Sequence, residues 1–376
     1  MKPAPPDQDP TRLMLVTDAW EPQVNGVVRT LSRTIAELRA MGVEVEVVSP
    51  SDGYKTIPLI TYEEIRLALW AKDDVEERFQ AFAPDAVHIA TEGTLGWAMR
   101  TICRQYNFPY TTSYHTQFPE YVHARFWWIP LMAGYAYMRA FHGKSGRVMV
   151  ATPSMKAQLE ERGIRNLTVW SRGVDTELFN PGRRGADGGV YAGLARPVFV
   201  YVGRVAVEKN IEAFLKLDLP GSKVVVGGGP QKEDLEQRYP EARFTGPKFG
   251  EELAQHYADA DVFVFPSFTD TFGLVILEAM AAGTPVAGFN APGPKDIIPG
   301  SNAGAVSDDL REACLQALTM DRAVTRAYAE KFSWRACAED FLRNLQPLPK
   351  PEKKRFWRRL RALRPKKRTA STTTRA

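Results

Sequence analysis

Short apolar runs, separated by helical stretches, set the fold class of this chain. They are RLMLVT (12–17), VEVEVV (43–48), DAVHIA (85–90), PYTTSY (109–114), RVMVA (147–151), PVFVYVG (197–203), KVVVGGG (223–229) and DVFVFPS (261–267). A strand with so few polar positions leaves no face for water, so both of its faces must be covered. The helical stretch after each run supplies that cover, which predicts parallel sheets in an α/β, doubly wound architecture. A length of 376 residues is too great for one typical core and suits two domains. The stretch NPGRRGADGGVYAGLAR (180–196) is rich in Gly and Arg, lacks an apolar period and reads as a linker. The expected division is a disordered N-terminus at 1–11, a first Rossmann-like domain at 12–180, a linker at 181–196 and a second at 197–330. A C-terminal helix at 331–346 is expected to pack back on the first domain, followed by a basic tail at 347–376. Ligands of such sheets bind at the carboxyl ends of the strands, so two facing halves put those ends on one central cleft.

Charge is distributed unevenly. Residues 350–376 hold twelve Lys/Arg and one Glu, a net of +11, so with +5 for the whole chain the remainder sums to 5 − 11 = −6. An acidic body argues against nucleic acid as a partner, and the basic appendage is the feature to be explained. Within it Phe356, Trp357, Leu360 and Leu363 fall on one helical stripe with Lys and Arg elsewhere, and Pro365 stops the helix. That pattern fits either a solvated tail or an interfacial helix on an anionic membrane surface, and the aromatics favour the membrane. Three cysteines, Cys103, Cys314 and Cys337, are widely spaced, which fits a reducing compartment and argues against a disulfide framework or zinc site. The opening residues lack an apolar signal region and no apolar run is long enough to span a bilayer. The expected location is therefore cytoplasmic, peripheral on the inner face of the plasma membrane.

Several strand-ending loops have the composition of ligand sites. Gly26 precedes a helical segment whose first N–H groups suit an anion, although a tight turn explains a glycine there equally well. YVGRVAVEKN (201–210) sets Gly203, Arg204 and Lys209 directly after an apolar strand, which is about the charge a diphosphate needs, although for that loop alone a solvated Arg and Lys would be the commoner outcome. VVVGGGPQKEDLE (224–236) is a strand–glycine–helix junction through Gly229. It is not GxGxxG, and no acid follows at the dinucleotide distance, so a dehydrogenase is disfavoured. Asp259 and Asp261 form a DxD, but their place between a helix and a buried strand favours a structural role. No His/Cys/acid cluster has metal spacing, and GxSxG is absent. His115, in SYHTQFPEY, ends an apolar strand and has the best position of the five histidines for cleft chemistry, although an isolated histidine is more often structural and the motif alone leaves both roles open. FWWIPLMAGYAYM (126–138) is too short to cross a bilayer and reads as helix core, an apolar acceptor groove or a shallow membrane-dipping face.

Together the NGV loop, SYHTQFPEY, WSRGVDTELFNP (170–181), GRVAVEK and PSFTDTFGLVILEAMAAGTPV (266–286) resemble the GT-B glycosyltransferases of family 4 over about residues 12–345. The WSRGVDTELFNP and VGRVAVEK segments are most similar to the branch with sulfoquinovosyl-diacylglycerol synthases and bacterial mannosyl and glycolipid transferases. The hallmark of the family is an acid followed eight residues later by Glu, here Asp270 and Glu278. The resemblance implies that Arg204 and Lys209 neutralise the donor diphosphate. It puts Glu278 on the ribose, Asp270 on the donor sugar and His115 near the reacting sugar. Gly26 would close on the phosphate, and the backbone at Phe272, Gly273 and Leu274 would face sugar and phosphate. One departure is that the first acid, usually Glu, is Asp.

The implied activity is transfer of a hexose, with retained anomeric configuration, from a UDP- or GDP-sugar to a hydroxyl acceptor. No metal or other cofactor is expected. The basic tail and residues 126–138 favour a membrane lipid, such as diacylglycerol or a lipid-linked glycan, over a soluble or polysaccharide acceptor. A non-catalytic sugar-nucleotide-binding protein is the rival of another class, and the intact Arg204, Lys209 and Glu278 speak against it. If helical from Phe272, the segment sets its two acids roughly 12 Å apart, too far for a glycosidase pair and suited to the two ends of a nucleotide-sugar.

Overall fold

The computed structural model describes residues 10–23, 25–59, 62–348 and 350–362. The strands are β1 (Arg12–Val16), β2 (Glu44–Val48), β3 (Thr56–Leu59), β4 (Tyr62–Ala68), β5 (Ala86–Ile89), β6 (Tyr110–Tyr114), β7 (Arg147–Val150) and β8 (Leu167–Val169) in the first half. The second half holds β9 (Val198–Val202), β10 (Ser222–Val226), β11 (Arg243–Gly246), β12 (Val262–Phe265), β13 (Val286–Phe289) and β14 (Gly304–Ser307). One sheet runs β2-β1-β5-β6-β7-β8 and the other β11-β10-β9-β12-β13-β14. All neighbours in both sheets pair in parallel. Every residue of β5, β6, β9 and β12 is buried, as the unbroken apolar runs require. β3 and β4 form a separate antiparallel hairpin.

The second sheet has the 3-2-1-4-5-6 order of a Rossmann unit. Its strand order reverses between β9 and β12, and a crevice opens there because the following connections leave to opposite faces. The loops after β9 and β12 are the two that hold Arg204, Lys209 and Asp270. In the first sheet the reversal lies at β1, and the loops after β1, β5 and β6 carry Gly26, Glu92 and His115.

The chain leaves the first half earlier than the glycine-rich stretch at 181–196 led us to expect. Trp170 is packed in the first half with Phe341, at a ring distance of 4.9 Å. Phe179 already packs against Tyr257 of the second half at 5.7 Å, and Arg326 donates to the Phe179 carbonyl at 2.7 Å. The return crossing lies alongside, where the Val174 N–H donates to the Phe332 carbonyl at 3.0 Å. Gly173 fits only because it has no side chain, since a Cβ there would lie 2.6 Å from the Trp334 nitrogen. Residues 181–196 are not a loose tether either. Tyr191 is buried, and the Asp259 carboxylate receives the N–H groups of Gly185 (2.7 Å) and Val190 (2.9 Å). Asp261 in turn accepts from the Val198 N–H at 2.7 Å and pairs with Arg196 at 2.8 Å, so both acids of the DxD serve structure.

The C-terminus returns to the first half in two steps. The helix Trp334–Asn344 lies on the helix Gly26–Ala40, with Trp170 Nε1 donating to the Cys337 carbonyl at 3.0 Å. A last helix, Lys350–Ala362, corrects the reading of the basic tail. Its aromatic stripe faces protein and not lipid: Trp357 and Leu360 are buried, Trp357 lies 5.0 Å from the Phe79 ring, and Phe356 lies 5.3 Å from Phe108. Lys353 pairs with Asp85, whose carboxylate also receives the N–H groups of Thr11 and Arg12 at 2.9 Å. An apolar stripe on a basic helix has the same pattern whether a bilayer or a core receives it, so periodicity alone could not tell these apart. Leu363, Pro365 and the rest of the tail lie outside the described residues, as do residues 1–9 of the expected disordered N-terminus; Thr11, at its end, is anchored. Trp357→Ala should cost about 3–5 kcal/mol of local packing. The check is limited trypsin digestion, in which the variant loses the 350–362 segment well before the wild type while the remaining body stays intact.

Candidate active site

A cleft of about 1790 Å³ opens between the two sets of strand ends. It is larger than the roughly 300–1,000 Å³ that holds one small ligand, so it has room for two substrates. Its wall includes His115, Arg204, Lys209, Asp270, Gly26, Gly203, Gly229, Phe272, Gly273, Leu274 and Glu278. All the residues that the resemblance puts at the donor site, with Gly203 and Gly229, therefore line one cavity.

Two glycine loops shape its floor. The Gly203 N–H donates to the Val226 carbonyl at 3.0 Å, and the Val205 N–H to the Gly228 carbonyl at 2.8 Å. The loops after β9 and β10 thus run backbone against backbone. Gly227 has φ +153°, and a Cβ there would sit 1.8 Å from the Gly203 oxygen; at Gly229, with the same φ, it would sit 2.4 Å from the Val205 oxygen. Close approach of the two loops explains Gly227 and Gly229 of KVVVGGG before any ligand is invoked.

Lys209 ends a 3-10 turn at Val207–Lys209 and its Nζ donates to Asp270 Oδ1 at 2.5 Å. Burial works against the ammonium charge, but Asp270, Tyr121 and Tyr201 outweigh it and hold the Lys209 pKa above the ordinary lysine range. Lys209 is therefore a fixed cation at neutral pH. The other Asp270 oxygen, Oδ2, is buried and has no partner within the protein. A buried carboxylate oxygen without a donor is costly unless a ligand supplies one.

The helix Leu274–Ala281 begins at Gly273, whose φ is +84° and which offers no side-chain cap. A Cβ on Gly273 would meet the Phe265 ring at 2.9 Å, so this turn needs glycine. The helix start lines the cleft without a side-chain cap, and there the macrodipole favours an anion. It also begins two residues later than the 12 Å estimate assumed. The left-handed turn at Gly273 bends the chain, so helical rise alone does not set the spacing of Asp270 and Glu278.

Glu278 faces the cleft from inside this helix, with 5% of its side chain exposed. Tyr257 donates to Oε2 at 3.0 Å, and Arg29, from the helix Gly26–Ala40 of the first half, pairs with Oε1. Burial pushes the Glu278 carboxyl up, while Arg29 and Tyr257 pull it back only in part.

On the first-half side, Gly26 differs from expectation. Asn25 Oδ1 accepts the N–H groups of Val27 and Val28, both at 3.0 Å, so two of the amides foreseen for an anion are already taken. The space at Gly26 is also open enough for a Cβ, 3.7 Å from Leu274 Cδ1. His115 is half-buried beside Trp170, with Arg172 Nη2 3.4 Å from its Nδ1 and its buried Nε2 without a partner. The Thr271 hydroxyl donates to the His115 carbonyl at 2.7 Å, so the Asp270 loop and the His115 loop touch across the cleft.

Sequence reasoning missed Arg29, Tyr257, Arg172 and Thr271 as parts of this site. Arg29 carried a usable signal, being one helical turn beyond Gly26 on the helix that starts at the cleft. Arg172 and Tyr257 carried none, because they depend on which half packs where. Among the described residues no group of three or more His, Cys, Asp or Glu side chains is placed to hold a metal ion.

The comparisons with known proteins agree with this geometry. Residues 24–178 match the family model Glycosyltransferase Family 4, and residues 196–320 match Glycosyl transferases group 1. The sulfoquinovosyl transferase of Arabidopsis thaliana is 32% identical over 86% of this chain and 70% of its own length. A GDP-mannose-dependent alpha-mannosyltransferase of Mycolicibacterium smegmatis is 31% identical over 85% of this chain and 89% of its own. The alpha-monoglucosyldiacylglycerol synthase of Streptococcus pneumoniae is 27% identical over 82% and 78%. In fold, the chain is similar to the sucrose-phosphate synthase of Thermosynechococcus elongatus, with a TM-score of 0.68 at 22% identity over 94% of this chain and 99% of that one. It is also similar to Anabaena HepE in complex with UDP, at a TM-score of 0.64 and 15% identity over 88% and 98%. With two parallel-sheet halves facing a shared cleft and relatives of this identity along most of its length, the chain belongs to glycosyltransferase family 4 and has the GT-B fold.

Proposed function

We propose that this glycosyltransferase moves a hexose, with retention and without a metal, from a UDP- or GDP-sugar to the hydroxyl of a membrane lipid. The observation that carries this reading is the group formed by fixed cationic Lys209, the unpartnered Asp270 Oδ2 and the uncapped helix start at Gly273. Arg204, Lys209 and the helix N–H groups stabilise the charge that gathers on the departing diphosphate. Asp270 Oδ2 accepts from a hydroxyl of the hexose, and Glu278 exchanges Arg29 for the ribose hydroxyls. No side chain is placed as a nucleophile in this scheme. The acceptor hydroxyl attacks from the face the diphosphate leaves and gives its proton to the departing phosphate, which retains the anomeric configuration. Closure of the two halves would keep water from the donor.

The acceptor is argued from the opposite wall, where Phe118, Val122, Phe126, Trp128 and Ile129 give an apolar lining. Trp127, Trp128 and Met132 are 78%, 62% and 79% exposed, an expensive display unless lipid covers it. The names of two relatives, a sulfoquinovosyl transferase and a monoglucosyldiacylglycerol synthase, support a glycolipid product. Among the described residues no helix is long and apolar enough to cross a membrane. Contact is assigned instead to this aromatic edge and to Arg355, Arg358 and Arg359 on the exposed side of the last helix, at the cytoplasmic face of an anionic membrane.

The test is transfer from radiolabelled UDP- and GDP-hexoses to diacylglycerol in anionic vesicles, with EDTA present. Label in the organic phase is expected. Label confined to water-soluble product would reject the lipid acceptor, and loss of transfer in EDTA would reject metal independence.

A further inference from the structure

We infer that Arg172 is a positioning residue that fixes His115 as the Nε2–H tautomer, so that His115 meets the donor hexose as a hydrogen-bond donor and not as a base. The inference rests on the donor-site reading above. Nothing in the sequence motifs assigns Arg172 a part in the reaction.

Arg172 is held rigidly. It is 4% exposed, its guanidinium stacks on the Trp170 ring at 4.2 Å, and Nη1 donates to the carbonyls of Trp170 (2.5 Å) and Ser171 (3.1 Å). Two carbonyls and an aromatic face fix the plane of the group, and the remaining arm, Nη2, points at His115 Nδ1 at 3.4 Å. A guanidinium has donors and no acceptor. Burial lowers the Arg172 pKa to about 10, which still leaves it charged at neutral pH. The Nδ1 lone pair must therefore accept, and the one proton of the neutral ring sits on Nε2.

The ring also stays neutral. Burial first, then the Arg172 charge and then His88 press its pKa well below the ordinary value. Arg172 and His88 are the charged or titratable groups that shift it, and His88 is itself neutral, held at about 3 by burial and Arg172, while Asp270 lies on the adjoining loop. The other neighbours, Trp170 and Thr271, do not titrate in this range.

What remains is an Nε2–H donor, buried in the cleft wall with no protein partner. Across the Thr271–His115 contact lies the mirror case, the Asp270 Oδ2 acceptor that also lacks a partner. One donor and one acceptor left open on adjoining loops suit the hydroxyls of a hexose, each of which both gives and takes a hydrogen bond. A ring whose Nε2 already carries a proton cannot remove one from an acceptor. This narrows the role of His115, which the resemblance placed only near the reacting sugar.

The test is the tautomer itself, read by long-range proton–nitrogen NMR on protein labelled with 15N-histidine, with His115 assigned by its loss in His115→Gln. The wild type should show Nε2–H with a bare Nδ1 at pH 7, unchanged on mild acidification. Arg172→Met should lose that preference, let the ring titrate closer to an ordinary histidine, and raise the KM for the sugar donor about tenfold with unchanged affinity for the nucleoside diphosphate. An Nδ1–H or doubly protonated ring in the wild type overturns the inference, as does an unchanged tautomer in Arg172→Met. If that variant does not fold, the wild-type spectrum decides alone. The spectrum is read without substrate, so a wrong tautomer and a failed transfer assay are separate results.

Discussion

Lys209→Ala should lower kcat/KM by about 10²–10³-fold, the loss of roughly 3–4 kcal/mol that follows removal of one preorganised charge-stabilising donor. The effect is large because Lys209 combines two roles. It is a cation on the floor of the cleft, and it orients Asp270 through the 2.5 Å contact that leaves Oδ2 open. Without the ammonium group the diphosphate loses a charge, and Asp270 becomes a half-buried, unpaired carboxylate facing an anionic substrate. Both changes act in the same direction. Steady-state kinetics with the sugar donor, together with a melting curve to show the variant is folded, check it. Turnover within a few-fold of the wild type would remove Lys209 from the diphosphate site.

Glu278→Ala should weaken nucleoside diphosphate binding by about 10–100-fold, since hydrogen bonds to a charged group are worth about 1.5–3 kcal/mol. Titration calorimetry with UDP and GDP measures it, and unchanged affinity would take Glu278 off the ribose. Its burial has a second consequence, visible without ligand. The folded-state pKa of Glu278 is raised from 4.5, so the folded chain holds that proton more tightly than the unfolded one. The resulting stabilisation is full below about pH 4.5 and is lost as pH rises through the folded pKa. Glu278→Gln should remove this falling limb, which shows as the difference between wild-type and variant melting curves across the mildly acidic range.

The sheets were legible because their strands are buried on both faces. PVFVYVG and DVFVFPS have no polar alternation, so they can only be central strands, and they are β9 and β12 at the reversal of the second sheet. The site loops followed from those strands, since a residue just after a central parallel strand must lie at its carboxyl end. The hairpin of β3 and β4 went unread because TIPL is four residues long and broken by Pro58, and YEEIRLA mixes apolar and charged residues without the continuous run that marks the other strands. Features that depend on one half meeting the other were closed to sequence reasoning. The Arg29–Glu278 pair joins residues 249 apart, and the two partners show no local pattern that names the other. The basic C-terminal helix misled for a related reason. Its stripe announced that something apolar would cover it, and the cover turned out to be Phe79 and Phe108.

The Asp that replaces the usual Glu at position 270 also has a physical reading in this geometry. Its short side chain is held by Lys209 close to the loop, and Thr271 ties the same loop to the His115 carbonyl. A longer acid would reach further into the space between Asp270 and His115, where the hexose is proposed to sit. On the proposed reading, choice of donor sugar is made in the gap between those two loops.

The most direct measurement is a crystal structure with whichever of UDP- or GDP-hexose binds in calorimetry. The account predicts the diphosphate on Arg204, Lys209 and the Phe272–Leu274 backbone. It puts the ribose on Glu278 with Arg29 displaced, and the hexose between Asp270 Oδ2 and His115 Nε2. A donor bound away from the Lys209–Asp270 pair, or one that leaves Arg29 on Glu278 and both open atoms without partners, would contradict it.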